Sequence, residues 1–341
     1  MPAIEESVLY QTIHRQPADW REILARDPAP LEAVARQLGA ARRVLLAGIG
    51  TSFHAAQLGA FLLRAAGRPA WAVQSADLAS YPFGLGPGDA LVVISHRGTK
   101  GYSVQALARG REAGAWCLAL TGQGAPMQGD ATLQTVAPER SSTFTASYTA
   151  ALLLLAQLAA RLGAPLALEA LPALAEEVLA GQAQVRAWAH AAARAPRLVF
   201  SGGGLNGWTA LEGALKVKEA AYLTAEGMAL ETLLHGPIVG LNRGDRLILI
   251  RVPGPFAQRA AEIAGVAREI GLELLWVGTP PADAREEALR LPELPEPLSP
   301  LLATLPLQLL ACFLAEARGT NPDSFRMDVA EYGRAIKAIR L

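Results

Sequence analysis

Between Glu212 and Pro237 the chain reads Glu-Gly-Ala-Leu-Lys-Val-Lys-Glu, then a short connector, then His-Gly-Pro. Two carboxylates, a lysine and a histidine thus share one segment, and these are the side chains that most often move protons in enzyme sites. Glu212, Lys216 and Glu219 are spaced i, i+4 and i+7, which on a helix places them on one face. That face reads either as reactive or as solvated, in the second case with ion pairs worth about 0.2–0.5 kcal/mol each. His235, followed by Gly236 and Pro237, reads equally as a helix-terminal histidine. His14, His54 and His190 have no comparable surroundings and read as structural or solvated.

A second set of residues suits an anion. The run Ser95-His96-Arg97-Gly98-Thr99-Lys100 follows an apolar strand and precedes a helical pattern. Hydroxyls, backbone amides around Gly98 and a helix N-terminus suit a phosphate, and Arg97 and Lys100 add charged donors. The plainer alternative is a strand-to-helix turn with a serine cap. Gly48-Ile49-Gly50-Thr51-Ser52 closes another strand. It lacks the third glycine of a dinucleotide fingerprint, and its hydroxyl pair favours a small polar ligand. Ser142, Thr143 and Thr145 make a third hydroxyl-rich loop before a helix.

These loops need strands and helices to hold them, and the strands come in matching pairs. Val44–Gly50 resembles Leu198–Gly204, Asp89–Ile94 resembles Asp245–Ile250, and Ala115–Leu120 resembles Leu272–Val277. Closing helices at Leu152–Gly163 and Leu307–Gly319 match as well, with the offset always between 154 and 157 residues. A constant offset over four elements points to a duplication. Short apolar runs alternating with helical patterns predict parallel βαβ units in each half. Helices are expected at Ala55–Ala66, Ser103–Ala113, Ala146–Leu162, Ala210–Leu223, Ala257–Ile270 and Leu301–Ala317, with one long alanine-rich helix over Glu169–Ala193. Residues before Arg42 read as a helical arm broken at Asp19, at Asp27 and at the prolines. Where the first half has the Ser95 loop, the second has Arg251-Val252-Pro253-Gly254-Pro255, without hydroxyls and with prolines that remove amides. Only the first half is therefore expected to hold a phosphate there.

At 341 residues the chain is long enough for two domains, and its 31 basic and 31 acidic residues balance. That balance argues against nucleic acid or an anionic membrane as a partner. Cys117 and Cys312 lie in apolar runs and read as buried, reduced thiols, with no disulfide or metal-type spacing. The N-terminus does not read as a signal peptide. Apolar runs such as Ala150–Leu158 are shorter than the roughly 20 residues a bilayer needs. A soluble, cytoplasmic protein without membrane or metal is expected.

With these residues in hand, the chain from about residue 40 onward resembles the sugar isomerase (SIS) family, and within it the isomerase half of the glucosamine-6-phosphate synthases. The specific element is Glu212-Gly-Ala-Leu-Lys-Val-Lys-Glu219 with His235-Gly236-Pro237; Gly50-Thr51-Ser52 and the Ser95–Lys100 loop support it. The resemblance implies an α/β fold of two tandem SIS-type, doubly wound parallel-sheet (flavodoxin-like) halves related by internal duplication. The expected organisation is a helical arm at 1–40, a first SIS domain at 41–165, a linker helix at 166–195, a second SIS domain at 196–320 and a tail at 321–341. It further implies that Glu219 moves a proton between C1 and C2 of an open-chain sugar phosphate. His235 would serve ring opening and reach a neighbouring subunit of a homodimer, and Lys216 would lie near the substrate hydroxyls. Thr51, Ser52, Ser95, His96, Arg97, Gly98, Thr99, Lys100 and Ser142 would contact substrate or phosphate. No cofactor is implied. A base near neutral pKa suits this chemistry, and partial burial raises a glutamate toward that range.

The chain departs from the family pattern in three places. It shows no glutaminase domain and no cysteine at position 2, so release of ammonia from glutamine is not expected of it alone. Arg97 and Lys100 replace a serine and a threonine of the family loop. The tail, Asn321 to Tyr332, has no lysine where the synthases place one, although Lys337 lies further on. The expectation is an isomerase or deaminase acting on a hexose or amino-hexose 6-phosphate. The alternatives are a sugar-phosphate sensor without catalysis and an aminotransferase-isomerase with a separate ammonia source.

Overall fold

The computed structural model describes residues 3–339. Two helices, α1 (Val8–Leu24) and α2 (Ala29–Ala40), precede the first strand. Helix α1 runs through Pro17 and Asp19, where breaks were expected, because Leu9, Ile13, Trp20 and Ile23 bury along it. Pro17 cannot donate to the Ile13 carbonyl, and the buried Gln16 side chain does so instead at 3.0 Å. The break at Asp27–Pro28 is present.

Two compact units follow from the contacts. Among the described residues, one comprises 18–139, 146–170 and 337–339; the other comprises 3–17, 140–145 and 171–336. The first unit holds β1 (Arg43–Gly48), α3 (Thr51–Ala65), β2 (Ala70–Gln74), α4 (Ser75–Ser80), β3 (Asp89–Ser95), α5 (Gly101–Glu112), β4 (Trp116–Thr121), β5 (Ala131–Gln134) and α6 (Ala146–Arg161). Its sheet is parallel, in the order β2-β1-β3-β4-β5. All seven residues of β3 are buried, as a central parallel strand covered by helices on both faces requires. Leu45, Val93, Leu107 and Cys117 form part of its core.

The second unit holds α7 (Leu171–Ala180), α8 (Gln182–Ala192), β6 (Leu198–Gly202), α9 (Asn206–Ala221), β7 (Ala225–Ala229), α10 (Leu230–Leu234), β8 (Arg246–Arg251), α11 (Ala257–Ile270), β9 (Glu273–Gly278), β10 (Ala288–Leu289), α12 (Ser299–Arg318) and most of α13 (Ala330–Lys337). Its parallel sheet runs β7-β6-β8-β9-β10, so both units share the strand order 2-1-3-4-5. The single helix expected over Glu169–Ala193 is two helices, parted at Gly181, whose amide bonds the Val178 carbonyl instead of continuing the helix ladder. The segment Glu296–Arg318 is long and apolar enough to cross a membrane, contrary to the reading of the apolar runs as too short, but its most apolar 18 residues are buried in the fold. Both cysteines are free and buried; burial pushes the Cys117 thiol up to about 11 and raises that of Cys312. Neither is a ready nucleophile.

Candidate active site

In the first unit, β1 and β3 are neighbours while β2 continues on the far side of β1, so the chain reverses direction across the sheet between them. Ligands of doubly wound folds bind in the crevice at that point, beyond the carboxyl ends of the strands. The loops there are the two picked out by their hydroxyls. Thr51 and Ser52 start α3 just after Gly50, whose φ is 55°. The Ser95–Lys100 loop leads from β3 into α5 and turns at Gly98, with φ 64° and its amide on the Ser95 carbonyl at 3.0 Å. A Cβ on Gly98 would lie 3.0 Å from that of Met127, so both backbone angle and space call for glycine there.

Ser95 is buried while Arg97 and Thr99 are exposed. Lys100 is half-buried, and its pKa is lowered by that burial and by the like charge of Arg97. A bound anion would relieve both effects. The His96 ring faces inward, its Nε2 accepting the Glu139 amide at 3.2 Å. Glu139, which the sequence did not single out, caps α6 by accepting the amides of Ala146 and Ser147 at 3.2 and 2.8 Å. Ser142 belongs to the other unit. Its amide donates to the Asp323 carbonyl and the Thr143 hydroxyl to that of Pro322, at 3.1 and 2.9 Å.

The corresponding point of the second unit, between β6 and β8, is filled by the chain itself. A Cβ on Gly203 would lie 2.2 Å from that of Phe256, and one on Gly254 would lie 2.6 Å from a Glu296 carboxylate oxygen. Burial raises the Glu296 pKa. An aromatic ring and a desolvated carboxyl disfavour phosphate, which adds to the expected loss of hydroxyls and amides.

The spacing of Glu212, Lys216 and Glu219 does put them on one face of α9, and that face is buried. Glu212 is 0% exposed, Lys216 1% and the Glu219 side chain 15%. The Lys216 ammonium lies 3.3 Å from Glu212 and 2.6 Å from Glu219. Burial alone would lower the Lys216 pKa, but the charges and hydrogen bonds of the two glutamates outweigh it and hold the pKa above its usual value. The ammonium is thus enclosed between carboxylates, not presented to solvent. Of the three, Glu219 alone lines a cavity of about 360 Å3, together with Lys218, Tyr222, Thr224, Phe325, Arg326 and Tyr332. The tail residues of this lining were missed from sequence. The available signal was an arginine among aromatics within the same Asn321–Tyr332 stretch that lacks the lysine of the synthases.

His235 follows α10 and does not line that cavity. Its side chain is 78% exposed, with Nε2 3.4 Å from Glu231. Glu231 is itself held by Arg259, which lowers the Glu231 pKa.

Two parallel sheets of the same strand order, with a hydroxyl-lined loop at a switch point of the first and a carboxylate–lysine cluster on a helix of the second unit, define a doubly wound α/β protein with a loop suited to an anion. The chain carries a SIS domain, whose family profile matches residues 37–161. It is 30% identical over 338 residues to a glutamine–fructose-6-phosphate aminotransferase (isomerizing) of Pyrococcus horikoshii, covering 93% of this chain and 56% of the relative. The chain thus spans about half the length of the curated relatives it matches. Among solved structures, it is similar to the C-terminal domain of a glucosamine-fructose-6-phosphate aminotransferase from Francisella tularensis (TM-score 0.85, 19% identity, 93% of this chain and 98% of that one). It also matches tagatose-6-phosphate ketose/aldose isomerase from Escherichia coli (TM-score 0.82, 20% identity, 95% and 96%). At these identities the two structures speak to the fold.

Proposed function

We propose that the protein is a phosphosugar isomerase, or a deaminase of the same chemistry, acting on a hexose or amino-hexose 6-phosphate by 1,2-proton transfer. The observation that carries this reading is Glu219, the one carboxylate of a buried cluster that reaches a cavity, fixed by Lys216 at 2.6 Å. A general base must be held in place and set apart from bulk water. In this reading Lys216 positions Glu219, a role that replaces contact with substrate hydroxyls. Thr51, Ser52, Ser95 and the amides and cations from Arg97 to Lys100 take the phosphate. The shared strand order supports descent of both halves by duplication. The protein works as a homodimer, in which the exposed His235 serves ring opening in a neighbouring subunit. Kinship with the aminotransferases supports amino-sugar metabolism.

The test is proton NMR in heavy water with fructose 6-phosphate and glucosamine 6-phosphate. Wild-type protein exchanges the C1 or C2 proton; Glu219→Gln loses exchange by at least about 10^3-fold while its thermal shift with the same ligand persists. Binding without exchange by wild type would make the protein a sugar-phosphate sensor and overturn the catalytic reading.

A further inference from the structure

Among the described residues, three that are not glycine have positive φ: Tyr222 at 53°, Phe325 at 53° and Arg326 at 59°. All three line the cavity that holds Glu219. Left-handed backbone is costly for side chains this large, and such strain gathers where a ligand is handled. The surrounding contacts hold it in place. The Tyr222 hydroxyl donates to the Asn321 carbonyl at 2.5 Å, accepts the Arg326 amide at 2.9 Å and lies 2.9 Å from the Ser324 hydroxyl. Asp323 accepts the amides of Val8 and Leu9, each at 2.8 Å.

The Arg326 guanidinium lies over two rings, 3.8 Å from the centroid of Tyr332 and 5.3 Å from that of Tyr222. A ring against a guanidinium face leaves the N–H groups on its edge. Among the described residues, none makes a hydrogen bond or ion pair with those groups. A cation is thus fixed by strained backbone and two tyrosines, with its donors unspent, in a cavity whose carboxylate is already paired with Lys216.

We propose that Arg326 is a substrate-binding residue of this cavity, taking the oxygen that becomes anionic at the reacting carbons. The inference rests on the isomerase reading. Glu219 removes the C2 proton of the open-chain aldose. The C–H electron pair becomes the C1–C2 double bond, and the carbonyl pair moves onto O1. Arg326 donates to that oxygen, planar donors to a planar enediolate. The hydroxyl proton then passes from O2 to O1, and Glu219 returns its proton to C1, giving the ketose. Stabilising charge that exists only along the reaction coordinate raises turnover.

Calorimetry with two probes tests this apart from turnover: 5-phosphoarabinonate, whose carboxylate imitates the enediolate, and arabinitol 5-phosphate, its neutral counterpart. Wild type should prefer the acid by about 10- to 100-fold, the range of one charge-assisted contact. Arg326→Gln should erase that preference and leave the affinity for the alcohol unchanged; Arg326→Lys should keep part of it. Tyr332→Leu, which leaves the charge but removes a stacking face, should fall between. A preference retained in Arg326→Gln, or equal weakening of both probes, overturns the inference alone. Failure of wild type to bind either probe overturns the phosphosugar reading and this inference with it.

Discussion

Replacing Lys216 with methionine removes a charge and keeps most of the volume, so it isolates the ammonium enclosed by Glu212 and Glu219. The wild-type cluster is two carboxylates and one cation, with nitrogen–oxygen distances of 3.3 and 2.6 Å and almost no exposure. Breaking a buried ion pair by deleting one partner costs about 3–5 kcal/mol, because the remaining charge stays desolvated. Much of that cost is avoidable if a carboxylate takes up a proton. At about 1.4 kcal/mol per pH unit, the same 3–5 kcal/mol corresponds to a carboxyl pKa raised by about 2–4 units in the folded variant.

The sign follows from proton counting. Above the unfolded pKa of about 4.3 for glutamate, the folded variant holds one proton more than the unfolded chain, so its stability falls as pH rises. The slope is about 1.4 kcal/mol per pH unit until the raised pKa is passed, after which it levels off. Urea unfolding of Lys216→Met and wild type at pH 5, 6, 7 and 8, followed by tryptophan fluorescence, reads both quantities. The expected result is a small deficit at pH 5 growing to about 3–5 kcal/mol at pH 8. A variant within 1 kcal/mol of wild type at every pH, with no slope of its own, would refute the enclosed-cation account of the cluster (threshold from the spread of ordinary substitutions, about 0.5–1 kcal/mol).

Three further outcomes follow from single sites. Gly98→Ala forces a left-handed alanine against Met127; it should cost about 1–2 kcal/mol and weaken inorganic phosphate binding, measured by calorimetry. Asp89 is pushed up by burial but held below the usual carboxylate pKa by Arg43, Arg42 and the Gly86 amide. Its stabilisation is present above about pH 4 and is lost as pH falls through the lowered folded pKa; Asp89→Asn should cost about 2 kcal/mol at pH 7 and flatten the acid limb of the unfolding profile. His235→Ala should slow reaction of a cyclic sugar phosphate more than that of an open-chain analogue in matched steady-state assays, and equal losses would exclude ring opening as its role.

What could be read from the sequence, and what could not, divides along the range of the interactions involved. The central strands β1, β3, β4, β6, β8 and β9 announce themselves because a strand buried on both faces must be continuously apolar. Strands β2 and β7 escape, since Ala-Trp-Ala-Val-Gln and Ala-Glu-Gly-Met-Ala are flanking strands with exposed or half-exposed positions and no such run. The alignment of Glu212, Lys216 and Glu219 is legible because the helix repeat alone converts spacing into geometry. Their burial is not, because it depends on what packs over α9.

The second wall of the Glu219 cavity is the extreme case. Tyr222 meets Asn321 and Arg326 across 99 and 104 residues, and no local pattern encodes that meeting. Composition nevertheless left a trace: an arginine flanked by Phe325 and followed by Tyr332 is an odd segment for a solvated tail. Aromatic faces close to a guanidinium make sense where the cation must be fixed in place. The resemblance supplies a lysine for that tail, and the chain has an arginine there instead. Lys216 is engaged by Glu212 and Glu219, and the cation that an aromatic face holds at the cavity wall is Arg326.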